Sequence, residues 1–265
     1  MIYQGKVALV TGGASGIGAA TVCEFAVSGA HPMILDINVS LGEKVAEKLN
    51  SEGHSASFYE LDVSDREACG SVVESIVARY GRVDYLVNSA VSFISCGLTA
   101  SREDWDRSLG VNVIGCANMA QACYPHIKAA GGGAIVNISS ISGHIAQADR
   151  WTYNACKSAI LSLTRCQALD MASSGIRVNS VSPGWTWTPE VEKAAVGGRE
   201  KWEPIWGRFC PMQRIAEASE VAKPILFLCS EAASFITGAD LPVDGGYLAL
   251  GSEGLGENST FAGTR

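Results

Sequence analysis

An α/β fold is predicted for this 265-residue sequence: a doubly wound parallel sheet of about seven strands with helices on both faces. Three observations carry the prediction. Short runs rich in Val, Ile and Leu alternate with longer segments of helical period. Seven such runs with helices between them call for a parallel sheet covered on both sides. A hydrophobic fraction of 47%, a charged fraction of 18% and 29 glycines fit a globular chain with many tight turns. No Pro- or Ser-rich linker interrupts the middle, so one domain is expected over 1–249, followed by a Gly- and Ser-rich extension at 250–265.

The first apolar run, KVALVT (6–11), leads into TGGASGIG (11–18) and then the helical stretch AATVCEFAVSGA. In that order the glycines Gly12, Gly16 and Gly18 let the backbone turn, approach a pyrophosphate and open a helix aimed at it. The second run, PMILDI (32–37), closes on Asp36, eighteen residues after Gly18. A carboxylate there accepts hydrogen bonds from both hydroxyls of an adenosine ribose and meets a 2′-phosphate with like charge, which favours NAD over NADP. The bland alternative for Asp36 is a solvated strand end. ASFYELDV (56–63) ends on Asp62 and Val63; Asp62 is either a contact for the adenine edge or a cap for a helix beginning near Ser64.

VDYLVNSA (83–90) is the fourth run. The uncharged run 108–127 has the length of a membrane span, but Ser108, Asn112, Asn118, Gln121 and Pro125 make it a buried helix instead. AIVNISS (134–140) places Ser140 at a strand end, and WTYNACKSAI (151–160) puts Tyr153 and Lys157 one helical turn apart among small residues. IRVNSVSP (176–183) and DLPVDGG (240–246) complete the sheet.

Ligands of such sheets bind beyond the carboxyl ends of the strands, and Ser140, Tyr153, Lys157 and Asn112 reaching one crevice there would be a complete set for moving a hydride and a proton. An unperturbed Tyr titrates near ~10, so a neighbouring cation is needed to favour the phenolate. Lys157 would supply that cation, Ser140 would polarise a carbonyl, and Asn112 would hold a water for proton relay.

With these motifs in order, the chain up to about residue 247 resembles the compact, single-domain short-chain dehydrogenases/reductases. The resemblance rests on TGGASGIG, Asp36, DV at 62–63, NSA at 88–90, Asn112, Ser140, YNACK at 153–157, SPG at 182–184 with Thr188, and DGG at 244–246. It implies a Rossmann-like fold, NAD(P)(H)-dependent oxidation or reduction, catalysis by Ser140, Tyr153 and Lys157 with Asn112 in support, and usually a homotetramer. It further implies a cofactor set of Gly12, Ser15, Gly16, Ile17, Gly18, Asp36, Ile37, Asp62, Val63, Asn88, Ala90, Tyr153, Lys157, Pro183, Gly184, Thr186 and Thr188. One departure stands out: Val91 occupies a position that is glycine in similar proteins, and a Val cannot follow the same turn if φ must be positive.

The family's substrate lid corresponds to about 185–214, which holds Trp185, Trp187, Trp202 and Trp206; Trp151 lies two residues before Tyr153. Aromatic faces suit a ring-shaped, apolar or sugar-like substrate, although packing within the lid accounts equally for some of them. Ser142, His144 and Gln147 lie between Ser140 and Tyr153, where they could border a substrate. Arg150 could bind a carboxylate or sulfonate, or be a surface arginine near a helix start.

The leading expectation is an NAD-dependent oxidoreductase acting on a secondary alcohol or ketone: a cyclic alcohol, a sugar-like polyol or a dihydrodiol. The alternatives are a 3-oxoacyl-carrier-protein ketoreductase, and a non-catalytic NAD-binding sensor or scaffold. The net charge of −7 and scattered basic residues argue against nucleic acid. The opening residues lack the pattern of a secretory signal, so the mature protein is expected to begin where the sequence does. Nine scattered cysteines without a C-x-x-C pair, and four histidines without ligand spacing, point to reduced thiols in a cytoplasmic protein with no metal site and no membrane contact.

Overall fold

The computed structural model describes residues 2–251, 254 and 255, so most of the 250–265 extension lies outside the described residues. Seven parallel strands form the main sheet: β1 (Val7–Thr11), β2 (His31–Asp36), β3 (Ser57–Glu60), β4 (Tyr85–Asn88), β5 (Gly133–Ile138), β6 (Ile176–Pro183) and β9 (Asp240–Val243). Their spatial order is β3-β2-β1-β4-β5-β6-β9, which reverses direction between β1 and β4. That reversal opens a crevice at the carboxyl ends of the central strands, the place where a doubly wound sheet receives a ligand. A separate pair, β7 (Thr186–Trp187) with β8 (Ala216–Glu217), is also parallel.

Alternation along β1 shows why both faces are covered. Ala8 and Val10 pack with Val22 and Phe25 of α1 (Gly16–Val27) and with Ile225 of α9 (Ala218–Cys229). Val7 and Leu9 pack on the opposite side with Val73 and Ile76 of α3 (Arg66–Tyr80) and with Met119 and Ile127 of α5 (Gly115–Ala129). Every residue of β1 is buried, which a strand between two helical layers requires. α2 (Val39–Ser51) flanks β3, and α6 (Trp151–Met171) runs beside β6.

The uncharged run expected to be a helix is helical throughout, with one change of winding. α4 (Arg102–Leu109) passes into a π-helical turn, Gly110–Ile114, before α5 begins. The wider turn carries Asn112 on its inner side, buried to 2% exposure; such bulges recur at functional positions.

At the opposite end of the sheet, Asp84 is 1% exposed and accepts bonds from Lys6 Nζ (3.0 Å), the Val7 amide (2.9 Å), and Arg82 Nε and Nη2 (2.8 and 2.6 Å). Burial alone would raise this carboxyl's pKa, but the bonds from Arg82, Val7 and Lys6 outweigh it and hold it below the usual range. The unfolded value is about 3.9. The pairing therefore stabilises fully above that value, and the contribution is lost as pH falls through the lower folded-state value. Asp84→Ala should cost about 3 kcal/mol at neutral pH, the low end for a broken buried pair because Lys6 and Arg82 reach solvent. Urea unfolding at several pH values would read it, and the gap to the unaltered protein should narrow below pH ~4. Equal midpoints at neutral pH would refute the assignment.

Candidate active site

A cleft of about 990 Å³ runs along the carboxyl edge of the sheet. The turn between β1 and α1 forms one end. Gly12 adopts φ +65°, and a Cβ there would come within 2.9 Å of the Ala90 backbone, so the two loops meet only because the residue is glycine. A Cβ on Gly18 would lie 2.1 Å from the Gly12 carbonyl oxygen. Ser15 caps α1 without a side-chain bond to the first turn. The helix thus opens toward the cleft with its amides available to an anion, and Ser15, Gly16, Ile17 and Gly18 line it.

Asp36 sits beside this turn with both oxygens anchored. Oδ2 accepts from the Ala14 amide (3.1 Å) and Oδ1 from the Asn38 amide (2.9 Å), so the carboxylate is fixed in place rather than freely solvated. Ile37 is exposed along the cleft next to it. Asp62 and Val63 also line the cleft. Asp62 is not the helix cap: Asp65 fills that role by accepting from the Ala68 amide. Asp62 instead binds the Ser64 amide and hydroxyl and lies 3.9 Å from Arg107. The fit to a dinucleotide rests on this set: close-packed glycines, open helix amides and a fixed carboxylate.

Two residues of the expected cofactor and catalytic sets stand behind the cleft wall. Asn88 is buried and donates to the Asn137 amide oxygen (2.9 Å), one rung of a polar ladder that continues to Thr164 and Gln167. Asn112 is absent from the cleft lining. Its amide is committed to the Ser92 backbone (3.1 and 3.0 Å) and to the Ser108 carbonyl (2.9 Å), clamping the loop after β4. Val91, on that loop, lines the cleft without entering the left-handed region; among the described residues only Asp149 and Gln213 do so apart from glycines. The loop therefore takes a path that a Val can follow.

Ser140, Tyr153 and Lys157 line one stretch of the cleft, with Pro183, Gly184, Thr186 and Thr188 facing them from the end of β6 onward. Thr188 caps the short helix α7 (Pro189–Ala194) and lies against Gly16. Lys157 is buried and donates to the Ile138 carbonyl (2.9 Å), with Nζ 5.6 Å from the centre of the Tyr153 ring. Burial lowers the Lys157 pKa to about 8. Burial likewise pushes the Tyr153 phenol up to about 12, with the Ser140 hydroxyl and then the Arg150 charge acting against it. The direction is the reverse of the one expected from the Tyr–Lys spacing. The Lys157 ammonium is engaged by the Ile138 carbonyl, and desolvation of the phenol prevails.

One contact beside Tyr153 escaped the sequence. Phe93 stacks on its ring, centroids 5.9 Å apart. Thr152 holds that loop by donating to the Ile94 carbonyl (2.8 Å) and accepting from the Cys96 amide (3.1 Å). The loop has no periodicity to announce it, and the only sequence signal was its place after a strand end.

Of the residues expected near a substrate, Ser142, Gln147, Arg150, Trp185 and Trp206 line the cleft. The Ser142 hydroxyl donates to Gln147 Oε1 (2.7 Å). The other four do not line it. His144 pairs with Asp240 (3.0 Å) and Ser182 (3.2 Å) beneath the wall, and Trp151 faces outward at 52% exposure. Trp187 packs under the Arg199 guanidinium, and Trp202 bonds to the Val196 carbonyl (2.8 Å) within the lid. Trp185, Trp206 and Trp202 form one stack with centroid spacings of 4.9 and 4.8 Å, so α8 (Arg199–Gly207) is fastened to the cleft wall by its aromatic rings.

The comparisons agree with this geometry. A family model described as Enoyl-(Acyl carrier protein) reductase matches residues 12–248. The chain belongs to the short-chain dehydrogenase/reductase family. It is 39% identical over 256 residues to a cis-4-hydroxycyclohexanecarboxylate dehydrogenase of Sinomonas cyclohexanicum, covering 94% of this chain and 98% of that one. It is 36% identical to the 3-oxoacyl-[acyl-carrier-protein] reductase FabG of Thermotoga maritima, covering 94% and 100%. It is 37% identical to a D-threitol dehydrogenase of Mycolicibacterium smegmatis, covering 92% and 93%. The crystal structure of gox2181 superposes with a TM-score of 0.87 at 34% identity, covering 93% of this chain and 96% of that one. As a short-chain dehydrogenase/reductase, the protein is an oxidoreductase acting between alcohols and ketones with a nicotinamide cofactor. Among the described residues, no helix is long and apolar enough to cross a membrane.

Proposed function

We propose that this enzyme oxidises a secondary alcohol on a carbon ring, with NAD as the hydride acceptor. The observation that carries the reading is the shared cleft: Ser140, Tyr153 and Lys157 line it together with a dinucleotide cradle, with Trp185 and with the edge of Trp206. Flat aromatic walls favour a ring over an open polyol or an acyl chain. The ring alcohol acted on by the Sinomonas relative supports the same class. When bound, NAD supplies the acceptor for hydride from the carbinol carbon. The chain's own residues do the rest. Ser140 donates a hydrogen bond to the alcohol oxygen, the Tyr153 phenolate takes the hydroxyl proton, and the protonated Lys157 holds the nicotinamide ribose and stabilises the phenolate.

Asp36 supports NAD over NADP, because its fixed carboxylate would accept from the ribose hydroxyls and would meet a 2′-phosphate with like charge. The test is the near-ultraviolet absorbance of the reduced cofactor with cyclic alcohols, dihydrodiols, polyols and acyl-thioester ketones as candidates. NAD-linked oxidation of ring alcohols is expected, and a preference for NADPH-linked reduction of acyl thioesters would replace this reading with the ketoreductase one. Asp36→Asn should raise the Michaelis constant for NAD about 10- to 100-fold, the effect of losing charge-assisted bonds. It should also narrow the gap to NADP; an unchanged cofactor ratio would refute the role of Asp36.

Nine free thiols support a reducing compartment, the cytoplasm. The nearly complete exposure of Leu169 and Phe235 supports burial of those side chains against further copies of the chain, as in a homotetramer. Light scattering reads the assembly directly, and a monomer would overturn it.

A further inference from the structure

Four cationic side chains line the cleft: Arg107, Arg150, Lys157 and Lys193. Three are engaged. Arg107 lies near Asp62 (3.9 Å), Lys157 donates to the Ile138 carbonyl, and Lys193 is paired with Glu190 (2.5 Å). Among the described residues Arg150 has neither an ion-pair nor a side-chain hydrogen-bond partner, in a protein whose net charge is −7. It stands directly before α6, three residues ahead of Tyr153 and therefore on the same side of the helix.

The backbone that delivers Arg150 is constrained. Asp149 holds φ +57°, a left-handed conformation that costs a non-glycine residue energy. It packs so closely on Gly97 that a Cβ there would fall within 2.9 Å of the Asp149 Cα. A strained turn seated on a tight contact fixes where the following residue emerges. On this wall the Ser142 hydroxyl is spent on Gln147 Oε1, which leaves the Gln147 amide nitrogen as a neutral donor and the Arg150 guanidinium as the charged one.

We infer that the ring alcohol carries a carboxylate, held by the Arg150 guanidinium while the ring lies against Trp185. This rests on the ring-alcohol reading above and names its substrate class more closely. A planar, doubly donating guanidinium matches a carboxylate in a two-bond clamp, which would fix the ring's orientation relative to Tyr153 and Ser140. The positive charge of Arg150 also works against burial at the Tyr153 phenol.

The experiment compares a hydroxycyclohexanecarboxylate with its uncharged methyl ester, using the unaltered protein, Arg150→Gln and Arg150→Lys. The acid should show a Michaelis constant about 10- to 100-fold below the ester's, the range of charge-assisted bonds. Arg150→Gln should erase that preference by raising the acid's value alone, and Arg150→Lys should restore part of it. A fall in kcat common to acid and ester would report the lost field at Tyr153. Equal constants for acid and ester in the unaltered protein, or a preference that survives Arg150→Gln, would overturn the inference. Calorimetry of cyclohexanecarboxylate, which has no hydroxyl to oxidise, separates the two proposals. Binding to the NAD-loaded protein that Arg150→Gln abolishes would sustain the anion site even if no ring alcohol is turned over. Absence of binding would remove the site while leaving oxidation of neutral ring alcohols standing.

Discussion

Tyr153→Phe should lower kcat about 10³-fold or more while leaving the affinity for NAD within about twofold. The substitution removes one hydroxyl and keeps the ring that stacks on Phe93, so the loop held by Thr152 has no reason to move. What disappears is the only group in the proposed set able to exchange a proton with the substrate oxygen. Ser140 can still donate a hydrogen bond to that oxygen, but it has no neighbouring base to take up its own proton. The residual rate should therefore be nearly independent of pH where the unaltered enzyme is not. Turnover by stopped assay and NAD binding by calorimetry check the two halves. Full activity in the variant would remove Tyr153 from the chemistry, and absence of activity in both proteins with NAD still bound would favour a sensor or scaffold.

The strands were legible because buried parallel strands are written as continuous apolar runs, and all seven fell within a few residues of their places. Gly12, Gly18 and Asp36 were legible for a related reason, since each occupies a position where backbone approach or a strand end leaves few residue types usable. Asn112 shows the limit. Its position could be matched in sequence, but the π-turn that aims its amide at Ser92 depends on how α4 and α5 are joined, which no residue period reveals. The tryptophans show another limit. Composition marked all four in the lid, yet only Trp185 and Trp206 face the cleft, because Trp202 spends its indole NH on Val196 and Trp187 lies beneath Arg199. His144 likewise turned to Asp240, a residue 96 positions away that only the β6–β9 pairing brings within reach.

The second large effect belongs to Lys157, and it is carried by pH. With Lys157 near about 8 and Tyr153 near about 12, oxidation requires a minority form in which the phenol has lost its proton and the ammonium has kept its own. Below about 8, raising the pH creates that form at about tenfold per unit. Between about 8 and about 12 each gain of phenolate is matched by a loss of ammonium, so kcat/KM should reach a plateau. Ketone reduction needs both protons in place and should be level at low pH, then fall above about 8. Lys157→Met removes one of the two titrations. Its oxidation rate should keep rising with pH through the region where the unaltered enzyme is flat. At pH near the start of the plateau it should lie about 10²- to 10³-fold lower, the scale of losing one preorganised donor. The affinity for NAD should fall as well, since the proposed mechanism makes the ammonium the ribose contact, whereas Tyr153→Phe leaves that affinity alone. A plateau that persists in Lys157→Met would assign the bend near about 8 to another group and leave Lys157 as a cofactor anchor only.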